Sequence, residues 1–160
     1  MSAMPDRLPA ERYRPCAAAV LQNDAGMILI CERRDFLESW QFPQGGIDAG
    51  ETPREALKRE LMEEISLPAT GYEILNERAG YRYHFPERHR KRGKFIGQEQ
   101  VYFLCHFIGP EAVLNLETEH PEFRRWRWIL PHEFNLQWLP EFKRGVYQAV
   151  LRDFFEVELL

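Results

Sequence analysis

The feature that most constrains the fold of this chain is a pair of glycines that leads into a sharply defined helix start. Gly45 and Gly46 are followed by Thr52, Pro53 and Glu55. Threonine is a favoured N-cap, proline suits the first helical position, and a glutamate three residues after the cap completes a capping box. The sequence therefore predicts a loop whose backbone can approach a ligand closely, followed by a helix that begins after Thr52.

The predicted helix presents acidic side chains on one face. Glu60, Glu63 and Glu64 stand at positions i, i+3 and i+4, so their carboxylates converge. Like charges at this spacing repel one another by a few tenths of a kcal/mol per exposed pair, and a cation between them would remove that repulsion. An all-oxygen ligand set suits Mg²⁺ or Mn²⁺ rather than zinc. A merely solvated acidic face is the alternative, and the glycine loop favours the metal.

Composition favours a globular protein and restricts how it can hold an anion. Of the 160 residues, 44% are hydrophobic and 13% aromatic, which is not the composition of a disordered chain. The net charge of -4 provides no general attraction to nucleic acid, so a polyanion needs a local basic patch or a metal. The cysteines lie far apart in apolar runs, which indicates buried free thiols in a reducing cytoplasm: Cys16, Cys31 and Cys105.

The sequence shows no targeting or membrane segment. The N-terminus lacks the apolar core of a signal peptide, and no apolar run approaches the length that crosses a bilayer. These observations predict a cytoplasmic protein without membrane contact. They also predict a flexible N-terminal tail over residues 1–12 and a single domain over residues 13–160.

The remainder of the chain alternates strand and helix patterns. Buried strands are predicted at 16–21, 27–31 and 100–108, an extended segment at 40–44, and a half-buried strand at 121–129. A final helix is predicted from about residue 140 to residue 155, because Phe142, Val146, Val150 and Phe154 recur every four residues. This order predicts an α/β fold with a mixed sheet and helices packed on its faces.

A basic and aromatic stretch lies between residues 78 and 94. Tyr81, Tyr83 and Phe85 are interleaved there with arginines and lysines, namely Arg78, Arg82, Arg88, Arg90, Lys91, Arg92 and Lys94. Such a stretch is either a solvated loop or a surface that attracts phosphates and stacks on bases. Both interpretations remain open here, and the acidic helix motif favours the surface that binds phosphates and bases.

The glycine loop and the helix together resemble the Nudix box of the Nudix hydrolases. The residues that carry the resemblance stand at the spacing of that box: Gly45, Glu51, Arg59, Glu60, Leu61, Glu63, Glu64 and Leu67. One position departs from it, since Ser66 stands where the family has a glycine just beyond the helix. A non-glycine residue there predicts a strained helix exit that costs about 1 kcal/mol.

Further segments extend the resemblance along nearly the whole chain. In order, they are residues 13–15, 40–46, 96–100, 121–128 and 142–144. Together they are similar to the bacterial RNA pyrophosphohydrolases and the related asymmetric dinucleoside tetraphosphate hydrolases. The resemblance implies the Nudix α/β/α sandwich around a mixed β-sheet. It also implies hydrolysis of a phosphoanhydride bond in a substrate that is a nucleoside diphosphate linked to another group.

The resemblance also implies a metal-dependent mechanism. Two or more Mg²⁺ ions, with Mn²⁺ as a possible substitute, would be held by glutamates and by a backbone carbonyl at Gln44 or Gly45. The implied glutamate ligands are Glu60, Glu63, Glu64 and Glu122. Glu122, which comes from a separate strand, is implied as the general base or an additional ligand. Glu64 is the alternative base, and Glu63 also belongs to the implied catalytic group.

Supporting and substrate-binding roles follow from the same resemblance. Glu51 and Arg59 are expected to pair and to brace the loop against the helix. Substrate contacts are expected from Arg14, Arg33, Arg34, Tyr83, Gln98, Phe142 and Lys143. The arginine forks suit phosphate oxygens. The two aromatic residues are expected to stack on a base, with packing in the core as the alternative.

Three functions are compatible with this sequence. The first is removal of phosphates from the 5′-triphosphorylated or diphosphorylated end of RNA, which the basic stretch at 88–94 favours. The second is asymmetric hydrolysis of diadenosine tetraphosphate and related dinucleotides. It is favoured by Glu99 and Val101, which stand where RNA-directed relatives tend to carry basic residues. The third is a nucleotide sensor without hydrolysis, which the complete set of box carboxylates disfavours. The sequence does not identify which protein, if any, is a partner.

Overall fold

The computed structural model describes residues 12–89 and 95–159. The predicted N-terminal tail, apart from Arg12, and residues 90–94 of the basic stretch lie outside the described residues. Helix α1 spans Pro53–Ile65 and helix α2 spans Glu141–Phe155. The strands of this part of the chain are β1 Tyr13–Gln22, β2 Ile28–Arg33, β3 Trp40–Gln41, β4 Gln44–Gly46, β5 Tyr72–His84, β6 Gly97–Phe107 and β7 Phe123–Ile129.

These strands form one mixed sheet between two helices. The order β3-β2-β1-β6-β5 contains a parallel pair, β1 with β6, while β4 pairs antiparallel with β1 and β7 pairs antiparallel with β2. On one face, Leu57 and Leu61 of α1 pack with alternate residues of the strands. On the other face, Val146 and Val150 of α2 do the same. The predicted mixed sheet with helices on its faces is therefore confirmed.

Helix α1 begins where the capping signals place it. The Thr52 side chain accepts a hydrogen bond from the Glu55 backbone amide at 3.1 Å, and the Glu55 side chain accepts one from the Thr52 amide at 3.0 Å. Pro53 occupies the first helical position. Two orphan donors of the helix start are thus satisfied by side chains one turn apart, which is worth about 1 kcal/mol.

The other end of α1 closes with a left-handed residue. Ser66 has φ 61° and ψ 26°, and its amide donates back to the carbonyl of Met62 at 3.1 Å. The Ser66 hydroxyl also donates to the carbonyl of Asn115 at 2.9 Å, and the Asn115 amide donates to the carbonyl of Ile65 at 3.1 Å. The left-handed conformation of Ser66 is therefore unfavourable for a non-glycine residue, and the hydrogen bond of its hydroxyl to Asn115 offsets part of that free-energy cost.

Substitutions at position 66 should separate these two effects. Ser66→Ala keeps the left-handed strain and removes the hydroxyl, so it should lower the free energy of unfolding. Ser66→Gly removes both the hydroxyl and the strain, so we expect it to be about 1 kcal/mol more stable than Ser66→Ala. Urea denaturation of the two variants measures that difference. Equal stability of the two variants would contradict a strained helix exit.

The stretch from residue 78 to residue 84 is not a loop. It belongs to β5, where Arg78 is opposite Tyr102 and Arg82 is opposite Glu99 of β6. The solvated-loop interpretation is therefore wrong for this part of the stretch, because tertiary pairing with β6 organises it. Within the described residues, no helix is long and apolar enough to cross a membrane.

Candidate active site

Strand β4 carries the glycine pair between two groups of functional side chains. It pairs with β1, with Gly45 opposite Ala17 and Gly46 opposite Cys16. A side chain at position 45 would overlap the Glu60 carboxylate, and one at position 46 would lie 2.5 Å from a guanidinium nitrogen of Arg14. Consecutive glycines therefore leave room for an acidic side chain on one side and a basic side chain on the other.

Arg59 links the loop to the acidic face of α1. Its guanidinium donates to both carboxylate oxygens of Glu51, at 2.8 and 2.9 Å, and to the carbonyl of Gly46 at 2.8 Å. It also donates to Glu60 at 2.7 Å and to Glu63 at 3.2 Å. Because Arg59 holds both the loop backbone and the helix carboxylates, it determines how closely the two approach each other. The Glu51–Arg59 pair, in turn, lowers the pKa of Glu51 to about 2.

Glu64 differs from the other helix glutamates because it is buried. It is 7% exposed, and among the described residues its Oε2 atom has no hydrogen-bond partner. Burial raises the pKa of the Glu64 carboxyl to about 10, with further contributions from the negative charges of Glu60 and Glu122. The carboxyl group at this position is therefore either protonated or needs a cation beside it.

The helix glutamates and Glu122 line one cavity of about 520 Å³. Glu122 immediately precedes β7, and its backbone carbonyl accepts a hydrogen bond from the Arg34 amide at 2.9 Å. The structure therefore brings Glu60, Glu63, Glu64 and Glu122 together, although Glu122 is distant from the others in sequence. The cavity wall opposite α1 is formed by the segment from Thr118 to Glu122.

The carboxylates do not converge as fully as their spacing predicts. The Glu63 side chain is 59% exposed and bonds to Arg59. In this arrangement of residues 12–89 and 95–159, no three His, Cys, Asp or Glu side chains are close enough to hold a metal ion. Arg59 compensates the charges of Glu60 and Glu63 in this arrangement. The unpartnered Glu64 oxygen and the all-oxygen donor set nevertheless fit a hard divalent cation.

A cationic and aromatic region, formed by Arg14, Arg33, Tyr83, Phe142 and Lys143 and called the cationic region below, lies on the other side of the glycine pair. Lys143 is nearest to the aromatic rings there, with its Nζ atom 5.8 Å from the ring centroid of Tyr83 and 5.9 Å from that of Phe142. Burial and the neighbouring Arg33 guanidinium lower the pKa of Lys143 to about 8. Burial and a neighbouring cation both disfavour the charged form of this lysine, and a bound anionic group would stabilise that form.

Tyr83 belongs to the core rather than to an open surface. It is 7% exposed and packs against Phe85 and Phe142, with ring centroids 6.0 and 5.5 Å away. The expectation that its ring is available for stacking on a base is therefore corrected, because neighbouring rings already cover it. Phe142 is only half-buried, so it can still present a ring surface.

Gln98 is part of a buried amide group. The Gln100 side chain donates to the side-chain oxygen of Gln98 at 3.1 Å and to that of Gln44 at 3.3 Å. Both Gln98 and Gln100 are buried, on the face of the sheet that carries α2. The sequence pointed to Gln98 only through the family resemblance, and it contained no separate signal for Gln100. Amides in a sheet interior are recognised as a group only when the strand register is known.

Arg33 and Arg34 point to different parts of the molecule although they are adjacent in sequence. Arg33 forms a forked ion pair with Asp35, at 2.7 and 3.0 Å, and lies near Lys143. Arg34 is 3.9 Å from Glu117, in the loop that leads to Glu122. Of these two arginines, Arg33 therefore lies beside the cationic region and Arg34 beside the acidic cavity.

The described arginines of the basic stretch are partly neutralised. Arg82 pairs with Glu99 at 2.5 Å, and Arg78 lies 3.9 Å from Asp153 of α2. Arg88 is exposed in a short 3₁₀ turn. The described part of the stretch therefore provides less free positive charge than its sequence suggests.

The comparison with protein families shows which family this chain belongs to. The NUDIX domain model matches residues 12–150. The chain belongs to the Nudix family. It is 40% identical to a protein named RNA pyrophosphohydrolase from Roseobacter denitrificans, over 97% of this chain and 99% of the relative. It is 41% identical to a protein of the same name from Erythrobacter litoralis, over 89% of this chain and 91% of the relative.

Solved structures support the same fold. The E. coli dihydroneopterin triphosphate pyrophosphohydrolase has a TM-score of 0.62 and 16% identity, over 88% of this chain and 98% of that one. A C. elegans Ap4A hydrolase has a TM-score of 0.56 and 20% identity, over 87% and 94%. At these identities the likeness shows the fold alone.

Family membership confirms the predicted enzyme class. This Nudix protein is a phosphoanhydride hydrolase, and the hypothesis of a sensor without hydrolysis is not supported. Nudix hydrolases generally depend on a divalent metal, which agrees with the buried, unpartnered oxygen of Glu64.

Proposed function

We propose that this Nudix hydrolase removes phosphates from the 5′-triphosphorylated or diphosphorylated end of RNA. One observation carries the proposal: adjacent glycines join the acidic cavity to the cationic region, Gly45 at Glu60 and Gly46 at Arg14. A polyphosphate chain lying along this glycine pair would have metal-binding carboxylates on one side and arginine and lysine on the other. The nearly full-length similarity to proteins named RNA pyrophosphohydrolase supports RNA as the group attached to that chain.

The proposed metal ligands are the four cavity glutamates and a backbone carbonyl at Gln44 or Gly45. We propose two or more Mg²⁺ ions, with Mn²⁺ as a substitute, and binding requires Glu60 and Glu63 to turn away from Arg59. When bound, the ions neutralise phosphate charge and make a water molecule more acidic. Arg59 then keeps its bonds to Glu51 and Gly46, so the loop stays in place. Glu122 accepts the proton of the attacking water, with Glu64 as the alternative base and Glu63 beside it.

Residues of the cationic region are proposed to position the substrate. Arg14, Arg33 and Lys143 are proposed to contact the phosphates, and Arg34 to contact them from the side of the acidic cavity. Phe142 is proposed to stack on a base, supported from behind by the buried ring of Tyr83. Gln98 is proposed to bind the base through its amide, with Gln100 holding that amide in position.

A direct comparison of substrates tests this proposal. We expect kcat/KM for triphosphorylated RNA to exceed that for diadenosine tetraphosphate by at least about tenfold in one buffer with Mg²⁺, a difference of about 1.4 kcal/mol in transition-state stabilisation. Glu64→Gln, prepared in parallel, controls for contaminating hydrolases. A reversed preference would overturn the RNA proposal and leave the phosphoanhydride chemistry intact.

The dinucleotide alternative is favoured by a specific observation. Glu99 pairs with Arg82 and so removes one positive charge from the surface available to a long polyanion. A dinucleoside polyphosphate is shorter and depends less on such charges. It would still span the acidic cavity and the cationic region.

The remaining charges of the basic stretch provide a prediction that separates the two substrates. Replacing Arg88, Arg90 and Arg92 with serine should raise KM for RNA and reduce the salt dependence of RNA binding, because fewer counterions are released. The KM for diadenosine tetraphosphate should change much less, and kcat should remain the same. Steady-state kinetics over a range of salt concentrations measure all of these quantities.

The outcomes for the two substrates have distinct meanings. Equal losses with RNA and dinucleotide would indicate a structural loop and favour the dinucleotide proposal. Negligible changes with both would mean that these arginines are only solvated. Arg54→Ser is a suitable control, since Arg54 is an exposed arginine on α1 that pairs with Glu77.

We also propose that the protein works in the cytoplasm. Cys16, Cys31 and Cys105 are free and buried, which suits a reducing compartment.

A further inference from the structure

Strand β7 contains a β-bulge next to Glu122. In its pairing with β2, Arg125 is opposite Glu32, but the next pair is Phe123 with Arg33. Arg124 is therefore an extra residue on β7 that has no partner in the register. A bulge of this kind changes the face of the sheet towards which the preceding residues point.

The packing of β7 shows the effect of this bulge. Ile129 belongs to the core on the α2 side of the sheet, while Trp126 and Trp128 pack on the α1 side. Strict alternation would place Phe123 on the α2 side with the other odd-numbered residues. Phe123 instead packs in the core on the α1 side. The bulge therefore places Phe123 in the core on the α1 side, and Glu122, which immediately precedes the strand, lines the acidic cavity.

One buried carboxylate holds the two arginines of the bulge. The Glu32 side chain is 0% exposed and accepts hydrogen bonds at 2.7 Å from the Nε atoms of both Arg124 and Arg125. It also accepts the backbone amide of Glu38 at 2.7 Å. Successive residues of a regular strand point to opposite faces, so only a bulged strand lets Arg124 and Arg125 reach one carboxylate.

Glu32 also connects to the segment that holds the backbone of Glu122. Strand β2 ends one residue after Glu32, and the amide of the next residue, Arg34, donates to the Glu122 carbonyl at 2.9 Å. The arginine hydrogen bonds lower the pKa of Glu32 to about 2, so the clamp is ionised at neutral pH. A carboxylate with such partners is rigidly held, which suits a role in positioning.

We propose that Glu32 is a positioning residue that clamps the β7 bulge and thereby fixes the adjacent backbone, which holds the Glu122 carboxylate at the acidic cavity. This inference rests on the proposed catalytic role of Glu122. Glu32 is not among the described residues that line the acidic cavity. It acts through Arg124 and Arg125, which set the direction in which the chain enters β7.

A coupled pair of substitutions tests the clamp. Glu32→Gln should lower kcat by about 10²-fold, the scale of a catalytic group displaced by about 1 Å, with KM nearly unchanged. The double variant Glu32→Gln/Glu122→Gln should be no slower than Glu122→Gln alone, because the clamp acts only through that carboxylate. Asp153→Asn is the matched control: it removes a carboxylate bonded to Tyr81 and Arg152 on the α2 side and should leave kcat unchanged.

A second variant covers the case in which Glu32→Gln fails to fold. Arg124→Lys keeps the positive charge at the exposed edge but removes the Nε donor to Glu32, and it should reproduce the loss in kcat in a folded protein. Melting temperatures of all variants, measured by circular dichroism, establish that the rates refer to folded enzyme.

The outcomes distinguish the two levels of the proposal. A normal rate for Glu122→Gln would reject the role of Glu122 and, with it, the purpose of the clamp. A slow Glu122→Gln together with normal kcat for Glu32→Gln, or for Arg124→Lys where Glu32→Gln is unfolded, would reject the clamp alone. Multiplicative losses in the double variant would show that Glu32 acts by another route and would likewise overturn the inference.

Discussion

Glu64→Gln is expected to lower kcat by about 10²- to 10⁴-fold, whether the carboxylate binds metal or takes the proton of the attacking water. Glu63→Gln should also remove most of the turnover. Rates at saturating Mg²⁺ with triphosphorylated RNA provide the measurement. Glu73→Gln is the matched control, since Glu73 is an exposed glutamate of β5. A near wild-type rate for either box variant, or hydrolysis that persists after chelation of divalent ions, would contradict the proposed site.

Glu64→Gln should not lower the stability of the metal-free protein. The pKa of Glu64 is raised from 4.5 to about 10, so the folded metal-free protein holds this proton more tightly than the unfolded chain does. The contribution of Glu64 to the free energy of unfolding is therefore fully present below pH 4.5 and is lost as the pH rises towards 10. Glu64→Gln should therefore make the metal-free protein at least as stable as wild type at pH 8. Thermal unfolding in EDTA at pH 5 and pH 8 measures this. Adding Mg²⁺ should stabilise wild type more than the variant.

Arg59→Gln should have the largest effect on stability. It removes the cation that bonds to Glu51, Glu60 and Glu63 and leaves these carboxylates facing one another. The Arg59 side chain is 27% exposed, and charge-assisted hydrogen bonds in such a setting are worth more than those of surface pairs. We expect a loss of about 3 kcal/mol in the free energy of unfolding without metal.

Arg54→Gln is the control for that loss, because it breaks an ion pair of the same helix at the surface. Arg54 and Glu77 are 3.2 Å apart, with side chains 62% and 41% exposed, so the expected change is about 0.5 kcal/mol or less. Urea denaturation in EDTA compares the two variants. Equal losses for both would show that Arg59 is an ordinary surface arginine. Partial recovery of Arg59→Gln on adding Mg²⁺ is expected, since the ions would replace the missing positive charge.

The residues of the box show what the sequence alone can determine. Thr52 and Glu55 bond to each other's backbone across one helical turn, so their spacing is sufficient to predict the helix start. Ser66 ends the helix in the left-handed conformation that its position in the box requires. Apolar runs predict β1, β2 and β6, and apolar–polar alternation predicts β7, whereas no pattern predicted β5. All of these interactions join residues close in sequence, where the geometry of the local backbone leaves few alternatives.

Only the tertiary structure decided how the side chains of this site are distributed. Glu63 and Glu64 are neighbours with similar chemistry, yet one is exposed beside Arg59 and the other is buried without a partner. Tyr83 is covered by the rings of Phe85 and Phe142, and Arg33 and Arg34 diverge at the end of β2. The physical reason is that burial and charge compensation depend on which distant strands and helices pack together. The register of β2 with β7, including the bulge at Arg124, sets that packing around Glu122, and no local pattern encodes it.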